Sequence, residues 1–282
     1  MAVRIVTDST ADIPSEVAQQ LGITVVPLTV FFGDEAYLDG VELDNASFYR
    51  KLETSRELPR TSQPSPAAFA EAYERLIKEG ATGILSVHLS SKLSGTYQSA
   101  VTAREMLPEG MRTVPIEIVD SESISIGMNV PIMKAAEEAR AGESLEEIRE
   151  HLLDRLARTR ILAVLDTLEY VRRGGRIGAA GALLGNMLSF KPIISLKNGE
   201  VIPLERPRTR GKAYERIAQL LHEMGPLESV VIAESNEEVG RQLAEALKPV
   251  YPGEIPTCKL GGVLGTHTGP GTVAISVITA RP

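Results

Sequence analysis

The sequence predicts an α/β protein of two domains, an N-terminal mostly parallel open sheet with helices on both faces followed by a smaller C-terminal α/β domain. Three observations predict it. As far as Arg140, short runs rich in valine and isoleucine alternate with amphipathic stretches, which is the βα alternation of a parallel sheet. The pattern changes from Ser144 onward. The chain also has 282 residues, 43% of them hydrophobic and 24% charged, enough to bury one large core or two modest ones.

In chain order, Val3 to Val6, Ile23 to Phe32, Gly83 to Leu89 and Ile116 to Val119 read as strands. Helical patterns cover Pro14 to Leu21, Ser47 to Leu52, Pro66 to Lys78, Gly95 to Met106 and Val130 to Arg140. Asn45-Ala46-Ser47 matches a glycosylation sequon, but Asn45 reads more simply as the cap of the helix that runs into Phe48-Tyr49. Ser144 and Glu147 form a capping box for a helix to about Arg158. Ile161 to Leu165 is a strand, and a Gly-rich helical stretch runs from Leu168 to about Leu188. Ile193 to Leu196 and Val201 to Leu204 flank Asn198-Gly199, a strong hairpin dipeptide. Helices at Lys212 to Met224 and Glu237 to Leu247, with strands at Val230 to Ala233 and Val273 to Ile278, complete the second domain. The expected domains are 1–159 and 160–282.

Composition narrows function. A net charge of −7 and a pI near 5.3 would repel a phosphate backbone, so nucleic acid is not an expected partner. The single cysteine, Cys258, excludes an internal disulfide and thiolate clusters, which fits a reducing cytoplasm. No apolar run reaches the roughly 20 residues that span a bilayer, and the N-terminus lacks a long apolar leader segment, so no membrane span or export is expected.

Hydroxyl-rich clusters recur where strands end: Thr7-Asp8-Ser9-Thr10, Thr61-Ser62-Gln63-Pro64-Ser65, Ser90 to Thr96, and Asp120 to Ser123. Loops at the carboxyl ends of strands face the ligand crevice of an open α/β sheet, so these clusters are expected on one rim. Ser94 is placed to cap a helix beginning at Gly95, where free N–H groups would attract a carboxylate or phosphate. Capping alone also explains Ser94 and Ser65. GTHTGPG, residues 265 to 271, sets His267 between Thr266 and Thr268 on a glycine-rich turn. A lone histidine on such a turn is more often a structural residue than a ligand group, and at its ordinary pKa it could hold either charge. No G-x-S-x-G elbow and no histidine pair with metal spacing occurs. The glycines of RRGGRIGAAGALLG follow a helical stretch and lack a following Lys-Ser or Lys-Thr, so close packing explains them better than a phosphate loop.

Six segments in order resemble the DegV family of bacterial fatty-acid-binding proteins along nearly the whole chain. They are IVTDSTADIP at 5–14, TSQPSP at 61–66, LSSKLSGTYQSA at 89–100, IVDSESIS at 118–125, EYVRRGGRIG at 169–178 and GTHTGPGTVA at 265–274. The resemblance implies one long-chain fatty acid in a tunnel between two domains, and no cofactor or metal. It also implies a non-catalytic subunit that presents the carboxylate to a separate, ATP-dependent fatty acid kinase subunit resembling dihydroxyacetone kinase. By the same resemblance Thr61, Ser94 and His267 meet the carboxylate, Arg208 stands at the entrance, and Ser62, Gly95, Thr96, Thr266, Thr268 and Gly269 support them. Transient contact with a membrane surface is compatible with such a carrier. Two other readings stay open: a serine and histidine esterase or acyltransferase built on Ser94 and His267, and a regulatory module for another amphipathic acid.

Overall fold

The computed structural model describes residues 3–183 and 190–281. The first part of the chain builds β1 (Val3–Asp8), α1 (Ser15–Leu21), β2 (Ile23–Val26), β3 (Thr29–Phe32), β4 (Glu35–Leu38), α2 (Asn45–Thr54), β5 (Arg60–Ser62), α3 (Pro66–Lys78), β6 (Gly83–His88), α4 (Thr96–Met106), β7 (Ile116–Asp120), α5 (Ile126–Ala141) and α6 (Leu145–Arg158). The second part builds β8 (Thr159–Val164), α7 (Glu169–Arg173), β9 (Ile193–Lys197), β10 (Glu200–Glu205), α8 (Arg210–Glu223), β11 (Leu227–Glu234), α9 (Glu237–Leu247), β12 (Thr257–Lys259), α10 (Gly262–Thr268) and β13 (Val273–Thr279).

Strands β2-β1-β6-β7 form a four-stranded sheet in which every pair is parallel. Strand alternation puts Ile5, Leu85 and Val87 against α5 and α6, and Val6 and Ile84 against Phe69, Tyr73 and Leu76 of α3. Helices therefore cover both faces, as an all-parallel sheet requires. Inside it, Tyr73, Ser86, His88 and Asp8 form a hydrogen-bonded chain with steps of 2.8, 2.7 and 3.0 Å. The order serine, histidine, aspartate is that of a hydrolase triad, but Ser86, His88 and Asp8 are all 0% exposed and serve as a buried tie between β1, β6 and α3.

The run from Ile23 to Phe32, expected as one strand, is two. Pro27 lacks an N–H and ends β2, and β3 leaves for a separate three-stranded antiparallel sheet, β4-β3-β5. The second half holds a six-stranded sheet, β10-β9-β8-β13-β11-β12, antiparallel except for the parallel β11–β12 pair. Leu162, Val164, Val273 and Ile275 point to α8 and α9, while Ile161, Ala163 and Ala274 point the other way, toward the first half. The Asn198-Gly199 hairpin forms with φ values of 51° and 78°, as a primed turn demands. Its tip docks on the first half, where the buried Ser90 hydroxyl donates to the Gly199 carbonyl at 2.8 Å.

Local signals hold in several places and slip in others. The Ser144–Glu147 capping box is present, and Ser65 caps α3. Asp44 rather than Asn45 caps α2, since its carboxylate reaches the Ser47 N–H at 2.8 Å. The helix expected from Val130 starts at Ile126, and Pro131, its sixth residue, lies inside it, where it removes one helical N–H donor. The stretch from Leu168 to about Leu188 breaks after Arg173 at Gly174-Gly175 and resumes as a 3-10 helix, Gly178–Leu183; residues 184–188 lie outside those described. GTHTGPG is not a loop throughout: its first four residues are the last turns of α10, and only Gly269 and Gly271, at φ 77° and 75°, make the turn.

Candidate functional site

A cavity of about 330 Å³ lies between the first half and the face of the six-stranded sheet that carries Ile161, Ala163 and Ala274, a volume ordinary for a small-molecule site. Ile161, Ala163, Ile194 and Ala274 line one wall, and Leu89, Ile124, Val263 and Leu264 the other. Three deeper hydroxyls interrupt this apolar surface, but their protons are already given away: Ser125 donates to Asp12, Ser195 to the Ile161 carbonyl at 2.7 Å, and Thr272 to the Thr268 carbonyl at 3.0 Å. Among the described residues, these wall hydroxyls thus offer no free donor to a ligand.

The other polar lining residues gather at one end, and a ring of contacts ties them together. Thr61 Oγ1 lies 2.8 Å from His267 Nε2. On the other side of the imidazole, Nδ1 packs on Gly174, where a Cβ would come within 2.3 Å. The Gly174 carbonyl accepts from Arg176, whose Nε donates to the Leu93 carbonyl at 3.2 Å, next to Ser94. Beyond Ser94, Gly95 presses on Gln63, with its ideal Cβ 2.5 Å from Oε1, and Gln63 returns along the chain to Thr61. Ser62, Gln63 and Arg176 are exposed, so this end opens to the surface, whereas Leu89, Leu260 and Leu264 are buried.

Each member is positioned by a simple device. The antiparallel pairing of β5 with β3 sets Thr61 opposite Val30. α10 carries His267 in its last turn, and Gly269, at a positive φ of 77°, ends that helix, where a Cβ would lie 2.3 Å from the Tyr170 ring. Burial, and then the charge of Arg176, lowers the His267 pKa to about 4, so the ring is neutral at pH 7 rather than open to either state. Nδ1 is buried with no partner. In the tautomer with its proton on Nε2, the ring donates to Thr61 and frees the threonine O–H to donate into the cavity. A carboxylate in the cavity would select that tautomer, because it accepts and cannot donate.

Of the residues singled out from sequence, Thr61, Ser62, Ser94, His267 and Thr268 line the cavity. Ser94 does not cap its helix as expected. Gly95 holds the cap position, and the Ser94 hydroxyl instead lies 2.9 Å from that of Thr96, which is buried. Thr266 and Thr268 do not orient the imidazole; they donate to the Gly262 and Leu264 carbonyls of their own helix, at 2.8 and 2.9 Å. Arg208 is exposed and absent from the lining. It follows edge strand β10 into α8, which covers the opposite face of the sheet, so the cavity's guanidinium comes from Arg176 in RRGGRIG. Nor do the four hydroxyl clusters share one rim: Asp8 and Ser9 border a different cavity, with Asp12 and Asp39. With His267 bonded to Thr61 and Ser94 to Thr96, the serine–histidine pair of a hydrolase is not assembled.

A family model described as "Uncharacterised protein, DegV family" matches residues 2–280. The chain belongs to the DegV family. A DegV domain-containing protein of Streptomyces coelicolor is 39% identical over 284 residues, 99% of each chain. Among solved structures, a DegV family protein from Thermus thermophilus, described by its fatty acid binding, superposes with a TM-score of 0.90 at 33% identity, covering 99% of this chain and 100% of that one. DegV from Bacillus subtilis, described as a fatty acid binding protein, gives a TM-score of 0.87 at 35% identity with the same coverage. These DegV structures share the α/β fold seen here. Within this DegV chain, Gln63, Gly174 and Arg176 are the site residues that motif reading left without a role, although all three lie inside or beside the quoted family segments. Among the described residues, Glu138, Glu143 and His151 alone have metal-ligand spacing; they lie at the α5–α6 turn outside the cavity lining, and Arg155 already pairs with Glu138. No described helix is long and apolar enough to cross a membrane.

Proposed function

We propose that this protein binds one long-chain fatty acid, tail inward, and presents the carboxylate at the open polar end for phosphorylation by a separate ATP-dependent kinase subunit. The observation that carries the reading is the polarity of the cavity: among the described residues, mostly apolar walls whose hydroxyls are already bonded lead to a polar end of Thr61, Ser94, Gln63, His267 and Arg176 that opens to the surface. Fatty acid binding by the related Thermus and Bacillus proteins supports the same ligand class. The division into domains 1–159 and 160–282 belongs to this proposal, with the ligand held between them.

The energetics suit a carrier. At about 0.8 kcal/mol per buried CH₂, on the order of fourteen methylenes give roughly 11 kcal/mol before ordering costs. The tail then supplies most of the affinity, and the head group is free for recognition. Thr61 and Ser94 donate to the carboxylate, and Arg176 supplies positive charge at the mouth, where solvent moderates its strength. No chemistry of the protein's own is invoked; the carboxylate oxygen is the nucleophile toward the phosphoryl donor. Mass spectrometry of the purified, denatured protein tests this. A co-purifying C16 to C18 acid is the expected result, and an acyl adduct on Ser94 would instead indicate an esterase.

A further inference from the structure

The TDSTADIP segment is prominent in the sequence, yet neither of its aspartates lines the ligand cavity. Asp12 and Asp39 both end on the start of α10, the helix that carries His267. Asp12 Oδ1 accepts the Gly261 N–H at 3.0 Å, and Asp39 Oδ1 accepts the Gly262 N–H at 3.0 Å. The second oxygen of Asp12 takes the Ser125 hydroxyl. The mounting is firm. Asp12 sits at φ 50° at the end of a 3-10 turn, Ser9–Ala11, and Asn129 Nδ2 donates to the Ala11 and Asp12 carbonyls at 2.9 and 3.0 Å. Both carboxyls are buried, and burial raises their pKa values, to about 8 for Asp12 and about 6 for Asp39.

Glycine brings the helix close enough for these contacts. A Cβ at Gly261 would stand 2.8 Å from Asp12 Oδ1; at Gly262, 3.0 Å from Asp39 Oδ1 and from Phe48; at Gly265, 2.4 Å from Phe48. A helix of 7 residues has little stability of its own, so its placement depends on what holds its ends. At one end stand Asp12 and Asp39, and at the other His267 meets Thr61. The last turn lies about 8 Å along the axis from the first residue. A tilt of about 10° at the clamp therefore moves His267 by about 1.5 Å, enough to break a normal hydrogen bond to Thr61.

We propose that Asp12 and Asp39 are positioning residues of the head-group site, a two-pronged clamp on the start of α10 that sets where His267 meets Thr61. The clamp belongs to the first half of the chain and the helix to the second, so the same contacts fix how the two halves share the polar end. The link to ligand recognition rests on the fatty-acid reading; the position of the imidazole does not.

Three variants test the clamp: Asp39→Ala, Asp39→Asn and Gly261→Ala, the last of which keeps both carboxyls but drives a methyl against Asp12. The readouts are the His267 ring titration by NMR without ligand, and the affinity for palmitic acid relative to hexadecanol. In Asp39→Ala and Gly261→Ala the His267 midpoint should rise from about 4 toward its ordinary value, as the ring leaves its buried seat. Acid-over-alcohol preference should fall about tenfold. Asp39→Asn, whose amide oxygen still accepts the Gly262 N–H, should stay close to wild type in both. Loss of the aspartate charge alone would lower the imidazole midpoint, and would do so equally in Asn and Ala. Should Asp39→Ala fail to fold, Gly261→Ala decides. An unchanged His267 midpoint and acid preference in Gly261→Ala, or identical behaviour of Asn and Ala at position 39, overturns the clamp. If the wild-type protein binds neither palmitic acid nor the alcohol, the functional reading falls while the ring titration still decides the positioning role.

Discussion

Replacing Gly174 with alanine perturbs the polar end of the cavity through a single methyl. Gly174 has φ −68°, an angle alanine adopts freely, so the backbone gives no reason for glycine. Space does: the added Cβ would lie 2.3 Å from His267 Nδ1, 3.0 Å from Cε1 and 3.2 Å from the Tyr170 carbonyl oxygen. Relief to an ordinary contact near 3.6 Å requires the ring to move by more than about 1 Å. That displacement removes the 2.8 Å bond to Thr61. Losing one hydrogen bond of this kind costs about 0.5–1.5 kcal/mol, or roughly two- to twelvefold in acid affinity. Alcohol affinity, governed by the tail, should change by less than about twofold. Competition of palmitic acid and hexadecanol against a fluorescent fatty acid measures both, and circular dichroism with a melting curve checks the fold. Equal loss for acid and alcohol, or no loss for either, would refute the reasoning that Gly174 exists to seat His267.

Three other outcomes follow from the same geometry. His267 has a folded-state pKa of about 4, below its unfolded value, so its contribution to stability is present above pH 6.5 or so and is lost as pH falls through about 4; urea midpoints across that window should fall less steeply in His267→Gln, and an unchanged slope would show that the ring is not buried neutral. Arg176→Gln should raise the His267 midpoint, because it removes the positive charge that helps keep the ring neutral, while weakening acid binding more than alcohol binding; a falling midpoint would contradict the electrostatics. Ala163→Leu projects into the cavity from β8 and should displace roughly three methylenes, costing the longest acids about 2 kcal/mol and shifting preference to shorter chains; an unaltered chain-length profile would place the tail elsewhere.

The parallel half of the fold was legible because both faces of its strands are buried, which leaves continuous Val and Ile runs such as Gly83–His88 between amphipathic helices. Short edge strands were not. β4, β5 and β12 have 4, 3 and 3 residues and mostly exposed faces, and no periodicity develops over such lengths. α10 escaped notice for a related reason, since its glycines serve close packing against Phe48 and Tyr49 rather than a turn. The polar cavity residues Thr61, Ser94 and His267 stood out as hydroxyls and an imidazole at strand and helix ends. Their mutual arrangement did not, because Thr61 and His267 are 206 positions apart and meet only through the packing of α10 on the first half. Arg208 and Arg176 show the limit: both are arginines in family-like segments, and only the sheet face on which each segment runs decides which reaches the cavity.

A crystal structure of the protein with palmitic acid would test the central claim most directly. The expected density is one extended chain between Ile161, Ala163 and Ala274 on one side and Val263 and Leu264 on the other, with its carboxylate within hydrogen-bond distance of Thr61 Oγ1 and near Ser94. A cavity left empty at saturating acid, or a chain with its carboxylate at the buried Leu260 end, would contradict it.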